Sequence, residues 1–577
     1  MLTRRSLLSA LPAAGGVAEA AAQGAPGAPH RLAKHRNLFN GDSCTYFYNP
    51  ELWQPEGGSY RAKAIHRFID VLADSGIDTF LINPNAQTAW YPSKKLQTVL
   101  DGYRRGDREF FRGHALATNT LPEQMDAALD KAVQFYGLYQ DLIDVGVDWL
   151  AETSKGCRRR GVSPWVSVRM NDMHGAGNPK GSHFNCELFK HDQYRLAGVP
   201  FDPKEPLRPN LAGLNYERPE VRAFMMSHIR EYLEHYDFEG MELDWLRNPL
   251  CCNPQASQQA QDTVTRWLSE VRQRTDARGK QLGKPVPFGL RIPGNLGYLK
   301  SIGIDVPKLA REGLIDFIGF SNFWQTSWDM PYDELRQQIG PGVAFYGVVE
   351  DAPNWLLAQA PSLQGKNVEQ VGAPYSISGI RYMAASPQMQ WANAAGKLAM
   401  GVHGTEQFNF FCTDQVKVPG LRSQYAALKQ NDYLEVLRLK PKHYCLQSPS
   451  GRMSADWELP EPVPITIEAK SRREFRLAMC REPQGRTLTV QVVIARQEGI
   501  LNLGVSVNGQ WPVFQKQRTQ ELLFPVGPYT LHLPENEAYN FQMDAAAIFE
   551  GWNRILVFNK DTATPVRVVS LELGIRT

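Results

Sequence analysis

The stretch Phe238-Glu239-Gly240-Met241-Glu242-Leu243-Asp244-Trp245 decides the fold. Its alternation predicts a β-strand with two different faces, because alternate residues of a strand point to the same side. Met241 and Leu243 would pack against helices outside a sheet, whereas Glu242 and Asp244 would point inside it. Burying two carboxylates is costly unless they have partners. We therefore expect a functional site here, with Asp244 nearest the open end of the strand and Glu242 supporting it from below.

Seven other short apolar runs flank this strand in the sequence, and amphipathic helical stretches separate them. This alternation is typical of an α/β fold with a parallel sheet. The eight predicted strands span residues 37–42, 77–83, 165–171, 238–245, 286–292, 315–321, 343–350 and 400–411. Eight strand–helix repeats predict a (β/α)₈ TIM barrel. The alternative is an open doubly wound sheet, but the Gly-rich phosphate-binding turn of such sheets does not follow the first strand.

The sequence changes character near residue 440. Short runs with period-two alternation, separated by turn signals such as Asn508-Gly509, replace the strand–helix pattern. We predict a catalytic barrel domain over 37–435 and a jelly-roll-like C-terminal β-sandwich over 440–577. The sandwich could serve as a structural cap on the barrel or as a sugar-binding module.

The N-terminal segment is expected to be a targeting signal. Arg4-Arg5 precedes a mild apolar region and small residues around Ala18-Glu19-Ala20, which resembles a twin-arginine signal peptide over residues 1–22. An ordinary secretory signal is the alternative, and residues 23–36 would form a flexible lead in either case. Both interpretations predict export to the periplasm or the extracellular space. No later stretch approaches the roughly 18 apolar residues of a membrane span.

Composition and motifs exclude several classes of function. Sixty-three Lys and Arg balance 60 Asp and Glu in 577 residues, which argues against the basic face that nucleic-acid binding needs. The eight cysteines are scattered and lack zinc-ligand spacing. We expect no metal and no other cofactor, although Asp172-Met173-His174 contains two types of metal ligand.

The seventh predicted strand supplies a second carboxylate. It ends at Glu350, which would face the barrel axis, as Asp244 does. Glycoside cleavage uses such a pair, because one acid protonates the leaving oxygen while the other attacks the anomeric carbon or activates water. We therefore predict Asp244 and Glu350 as catalytic residues, with Glu242 as a third candidate and carbohydrate as the substrate.

Long polar and aromatic segments after several strands are expected to line the same rim, where barrel active sites lie. Arg169 and Arg291 flank the fourth strand and are expected to neutralise Glu242 and hold Asp244 in place. The predicted substrate-binding residues are Asn40, Asp42, Asn85, Arg169, Asn171, Asp172, His174, Arg247, Arg291, Asn322, Trp324 and Glu406.

The fourth-strand stretch, extended to Leu246-Arg247, resembles the signature D-G-[IM]-x-L-D-[WY]-x-R of glycoside-hydrolase-like barrel families, mostly of bacterial genomes. Glu239 stands where those families usually have Asp. The segments 303–306, 313–317 and 401–411 are also similar to theirs, so the resemblance covers about residues 37–411. It implies a (β/α)₈ barrel acting on carbohydrate.

In the large retaining clan of barrel glycosidases, the acid/base follows strand four and the nucleophile ends strand seven. Asp244 and Glu350 match these positions, but the Asn-Glu pair usual on strand four is absent. The resemblance therefore leaves open whether Glu242 or Glu406 holds one of the two roles. The leading hypothesis is a secreted glycoside hydrolase. The alternatives are a non-catalytic carbohydrate-binding barrel and a barrel hydrolase or lyase of other, metal-assisted chemistry.

Overall fold

The computed structural model describes residues 30–42, 45–196, 213–246, 248–322, 326–350, 385–408, 410, 425–446, 462–513, 517–526 and 529–576. Eight parallel strands pair in chain order and close between β8 and β1. They are β1 Asn37–Asp42, β2 Thr79–Asn83, β3 Ser163–Arg169, β4 Met241–Asp244, β5 Phe288–Ile292, β6 Phe317–Phe320, β7 Ala344–Glu350 and β8 Gly404–Phe408. The predicted (β/α)₈ barrel is confirmed.

Helices surround this barrel. They are α1 Pro50–Trp53, α2 Ala62–Asp74, α3 Arg112–Ala117, α4 Met125–Ile143, α5 Trp149–Arg160, α6 Pro219–His235, α7 Gln258–Leu282, α8 Leu296–Ser301, α9 Val306–Arg311, α10 Tyr332–Ile339, α11 Pro387–Ala399 and α12 Leu434–Arg438. Local sequence sets several of their ends: the side chain of Asp148 caps α5 by accepting from the backbone N–H groups of Leu150 and Ala151, and Gly161 ends α5 at φ 71°. None of the helices within the described ranges is long and apolar enough to cross a membrane.

The barrel interior is apolar at the N-terminal ends of the strands. Leu38, Leu81, Trp165, Phe317 and Tyr346 pack together there as part of one buried cluster. The strands approach closely because two positions facing large rings are glycines: a methyl group on Gly240 would lie 2.3 Å from Trp165, and one on Gly289 would lie 2.5 Å from Phe317. These five residues form an apolar plug at this end of the barrel. The polar groups of the interior lie at the opposite end.

Residues 30–36, expected as part of a flexible lead, close this end of the barrel. Leu32 joins the plug and is fully buried, and the His35 ring lies 4.7 Å from the ring of Trp165. The Arg36 backbone N–H also donates to Asp78 at 2.8 Å. Residues 1–29, which contain the predicted signal peptide, lie outside the described residues.

The C-terminal strands form antiparallel sheets, as predicted. One sheet has the order β10-β19-β12-β17-β14, with β9 also paired to β19, and the facing sheet has the order β11-β18-β13. A short β15–β16 pair accompanies them. The strands are β9 Lys442–Leu446, β10 Ile465–Ile467, β11 Ser471–Met479, β12 Thr487–Ala495, β13 Leu503–Val507, β14 Gln517–Thr519, β15 Glu521–Val526, β16 Tyr529–Leu531, β17 Asn536–Asp544, β18 Gly551–Asn559 and β19 Val566–Arg576.

The two larger sheets enclose one apolar core, to which Val490, Leu571 and Ile555 contribute, so the architecture is a β-sandwich. The sandwich also contacts the barrel. Arg438 of α12 donates to both carboxylate oxygens of Glu550 at 2.8 Å.

Candidate active site

One arginine joins the two carboxylates predicted to be catalytic. Arg291 of β5 donates from Nη1 to Asp244 of β4 at 3.1 Å and from Nη2 to Glu350 of β7 at 2.8 Å. The side chains of Asp244 and Glu350 are 0% and 1% exposed. A cation in contact with both groups offsets part of the cost of burying them.

Neighbouring elements fix the positions of Arg291, Asp244 and Glu350. The Leu246 backbone N–H donates to Asp244 at 2.9 Å, just past the end of β4. The Glu350 backbone N–H donates to the Thr326 hydroxyl at 2.9 Å, which anchors the end of β7 to the segment after β6. The guanidinium carbon of Arg291 lies 3.4 Å from the centroid of the Phe408 ring on β8. Contacts from several strands thus orient the arginine.

A second pair of carboxyl groups lies one layer deeper. Asn40 Nδ2 of β1 donates at 2.9 Å to both Glu242 of β4 and Glu406 of β8. The Ser167 hydroxyl also donates to Glu242 at 2.7 Å. The other oxygens of the pair converge on Gly319, because a methyl group there would lie 2.5 Å from Glu406 Oε2 and 3.6 Å from Glu242 Oε2.

This inner pair retains a proton near neutral pH. Burial, reinforced by repulsion from Glu406, raises the pKa of Glu242 well above its usual range, and burial raises the pKa of Glu406 to about 7. Two like charges in a buried site cannot both ionise cheaply, so the protonated form of one of the two groups is favoured. This environment differs from that of Asp244 and Glu350, which Arg291 contacts directly.

The second arginine forms ion pairs with two aspartates, although Glu242 was its expected partner. Arg169 forms an ion pair with Asp42 and another with Asp172, at 2.9 Å for the latter. The reason is that the chain turns directly after β3 and brings Asp172 back onto Arg169. His174 Nδ1 lies 2.7 Å from the same aspartate, and its side chain is 39% exposed. Trp90 packs beneath the guanidinium group at 5.0 Å.

Several buried polar atoms in the barrel have no hydrogen-bond partner among the described residues. Asn83 of β2 is fully buried, and neither its amide oxygen nor its amide nitrogen has a partner there. The same holds for Asn40 Oδ1, Glu242 Oε2 and Glu406 Oε2. Leaving such an atom unsatisfied costs about 1–3 kcal/mol, so polar groups of a ligand, or water, are expected among them.

Other predicted substrate-binding residues make structural contacts. Asn85 bonds the backbone of Arg169, and Asn171 bonds the backbone of Leu214 and Leu250. Asn322 follows β6 and is 9% exposed. Arg247 and Trp324 lie outside the described residues.

The sequence prediction omitted two residues that shape the site, Phe408 and Thr326. Phe408 could have been found by alternation, because it shares the inward face of β8 with Glu406. Thr326 lies in an irregular segment after β6, where no periodicity marks its contact with Glu350.

Negative charge dominates this end of the barrel. Two guanidinium groups face six carboxyl groups in the described part of the interior: Arg169 and Arg291 face Asp42, Asp172, Glu242, Asp244, Glu350 and Glu406. Even with one proton held by the inner glutamates, the carboxylates outnumber the arginines. Such a site is suited to stabilising positive charge that develops in a transition state.

No family model matches this chain. A protein of Drosophila melanogaster named "Probable chitinase 10" is 30% identical over 197 aligned residues, and the match covers 31% of this chain and 8% of that protein. A 1,4-alpha-glucan branching enzyme of Xanthomonas euvesicatoria is 30% identical over 103 residues, 17% of this chain and 12% of the enzyme. The chain thus spans a small part of either relative.

Solved structures similar to this chain include glycoside hydrolases. Alpha-L-fucosidase isoenzyme 2 from Paenibacillus thiaminolyticus is 12% identical with a TM-score of 0.39, and the match covers 73% of this chain and 54% of the fucosidase. The catalytic domain of a psychrophilic chitinase B from Arthrobacter is 11% identical with a TM-score of 0.36, and the match covers 70% and 96%.

Proposed function

We propose that the protein is a glycoside hydrolase whose two working carboxylates are Asp244 and Glu350. The observation that carries the proposal is their shared contact with Arg291 at the C-terminal rim of a closed parallel barrel. Active sites of such barrels lie at this rim. Glycoside cleavage needs two acidic side chains at one place, and these two converge on one cation.

The arrangement suggests how the two carboxylates could divide the work. One of them must protonate the leaving oxygen, and the other must attack the anomeric carbon or activate water. A bound sugar that draws Arg291 away from one acid would suit that group to the first role, because it would no longer lie beside a cation. The other, still paired with the arginine, would act as nucleophile or base.

The inner glutamate pair would assist from below. The transition state of glycoside cleavage resembles an oxocarbenium ion, which carries positive charge. The negative charge on the pair formed by Glu242 and Glu406 would stabilise that ion electrostatically. Asn83 and Asn40, with buried polar atoms that lack partners among the described residues, would bind sugar hydroxyl groups.

We propose that the mature enzyme works outside the cytoplasm. The support is the Arg4-Arg5 pair ahead of an apolar and then small-residue stretch. Replacing both arginines with lysine in the full-length precursor is expected to retain it in the cytoplasm. Export that continues through the general secretory route would contradict the twin-arginine proposal.

A panel of soluble glycans tests the proposed activity. Purified protein is incubated with each glycan while released reducing ends and binding are measured side by side. Release of reducing ends from at least one glycan is expected. Binding to a glycan without any release would instead support the carbohydrate-binding barrel, and neither binding nor release on any glycan would contradict the proposal.

A further inference from the structure

Three fully buried side chains with metal-ligating atoms meet in the C-terminal β-sandwich, away from the barrel. His443 and Cys445 lie on the same face of β9, and Glu572 of β19 is paired directly with Cys445 across the two strands. One ligand atom from each residue lies within 4.8 Å of the others. All three residues are 0% exposed. His443 Nε2 and the carboxylate of Glu572 are 2.8 Å apart.

We propose that His443, Cys445 and Glu572 bind a zinc ion that stabilises the β-sandwich. Imidazole nitrogen, thiolate sulfur and carboxylate oxygen are the three donor types that proteins use for Zn²⁺. Calcium and magnesium take oxygen ligands instead, so a histidine–cysteine pair does not suit them. Bonds of about 2.0–2.3 Å place tetrahedral zinc ligands about 3.5 Å apart. The side chains therefore need shift by only about 1 Å to bind the ion.

The electrostatics of the cluster also favour a cation. Burying a carboxylate is costly, and a divalent cation beside Glu572 would offset that cost. Binding of zinc to Cys445 would release the thiol proton and leave a thiolate–zinc bond.

A zinc ion bound here would link two parts of the chain that are far apart in sequence. His443 lies just after the barrel, whereas Glu572 is 129 residues further on, in the last strand. This separation explains why no zinc-ligand spacing is visible in the sequence. The proposal is independent of the glycosidase proposal, because the cluster lies in the sandwich and its test does not use enzyme activity.

The test uses the full-length mature chain and Zn²⁺ or Co²⁺ as the probe. Wild-type protein is expected to hold about one zinc per chain, to melt at a lower temperature after chelation, and to show a thiolate-to-cobalt charge-transfer band when loaded with Co²⁺. Cys445→Ala is expected to lose the band and most of the zinc. Cys157→Ala, which removes a buried barrel thiol, is the matched control and should keep both.

Wild-type protein that takes up no zinc, shows no charge-transfer band and melts unchanged after chelation would overturn the proposal. A band that persists in Cys445→Ala would remove Cys445 from the ligand set and also overturn it. If Cys445→Ala does not fold, the presence or absence of the thiolate-to-cobalt band in the wild-type protein still tests the proposal. Loss of glycan hydrolysis alone would bear only on the barrel site.

Discussion

Arg291 Nη2 lies 2.8 Å from Glu350 Oε1, which links β5 to β7 across the intervening strand β6. The same guanidinium group also contacts Asp244, so a single cation pairs with both proposed catalytic acids. Removing it would leave two buried carboxylates without their shared counter-charge. The stability and the chemistry of the site therefore depend on the same residue.

Arg291→Met is expected to destabilise the protein by about 3–5 kcal/mol, the usual cost of leaving a buried charge without its partner. Urea unfolding measures the change. Arg311→Met, which removes an exposed arginine at the end of α9, is the control and should cost less than about 0.5 kcal/mol. Equal stability of Arg291→Met and wild type would show that Asp244 and Glu350 do not need the arginine.

The inner glutamates make stability depend on pH. The pKa of Glu406 is raised from 4.5 to about 7 by burial, so folding favours its protonated form. That stabilisation is fully present below pH 4.5 and is lost as the pH rises through about 7. The free energy of unfolding should therefore fall over this window by at most about 1.4 kcal/mol per pH unit for one proton.

Glu406→Gln is expected to flatten this slope, because the amide does not titrate. Urea unfolding between pH 4.5 and 7.5 compares the variant with wild type and with Glu312→Gln, which alters an exposed glutamate. A slope unchanged in Glu406→Gln would contradict the raised pKa of Glu406.

The Asn83→Ala variant distinguishes a role of this residue in sugar binding from a role in the stability of the fold. The Asn83 amide is buried and lacks a partner among the described residues, so Asn83→Ala should change the free energy of unfolding by less than about 1 kcal/mol. Loss of contacts to a sugar should raise KM and lower kcat/KM by about tenfold or more. Steady-state kinetics and urea unfolding are measured on the same preparation. A large loss of stability with unchanged kinetics would assign Asn83 to the fold alone.

The apolar plug predicts a coupling between Gly240 and Trp165. Gly240→Ala places a methyl group 2.3 Å from the indole ring and should cost about 1–3 kcal/mol. The same change made in a Trp165→Leu background should cost less, because the ring is gone. Gly342→Ala, with no neighbour within 4 Å of the added methyl group, is the control. Equal costs in both backgrounds would contradict the proposed packing.

The barrel and the inward face of its fourth strand could be predicted from the sequence, because period-two alternation fixes which side chains share a face. Glu242 and Asp244 therefore lie in the interior as expected. The partner of Arg169 could not be predicted in this way, because Asp172 reaches it through an irregular turn after β3. Alternation assigns a side chain to a face but does not choose its partner within that face.

Strand ends were harder to predict than strand positions. The eighth strand begins at Gly404 rather than at Met400, because Gly401 adopts φ 77° and the chain must first leave helix α11. The pairing of Glu572 with Cys445 could not be foreseen either, since it depends on which strands of the sandwich become neighbours.

The measurement that tests the central claim most directly is kcat/KM of Asp244→Asn and Glu350→Gln on a glycan that the wild-type enzyme cleaves, with Glu312→Gln as the control. Each of the two variants should lose at least about 100-fold, as expected for removal of a group that acts in acid/base or nucleophilic catalysis. The control should match wild type, and urea unfolding should confirm that the variants are folded. Wild-type kcat/KM in either folded variant would contradict the assignment of Asp244 and Glu350 as the catalytic pair.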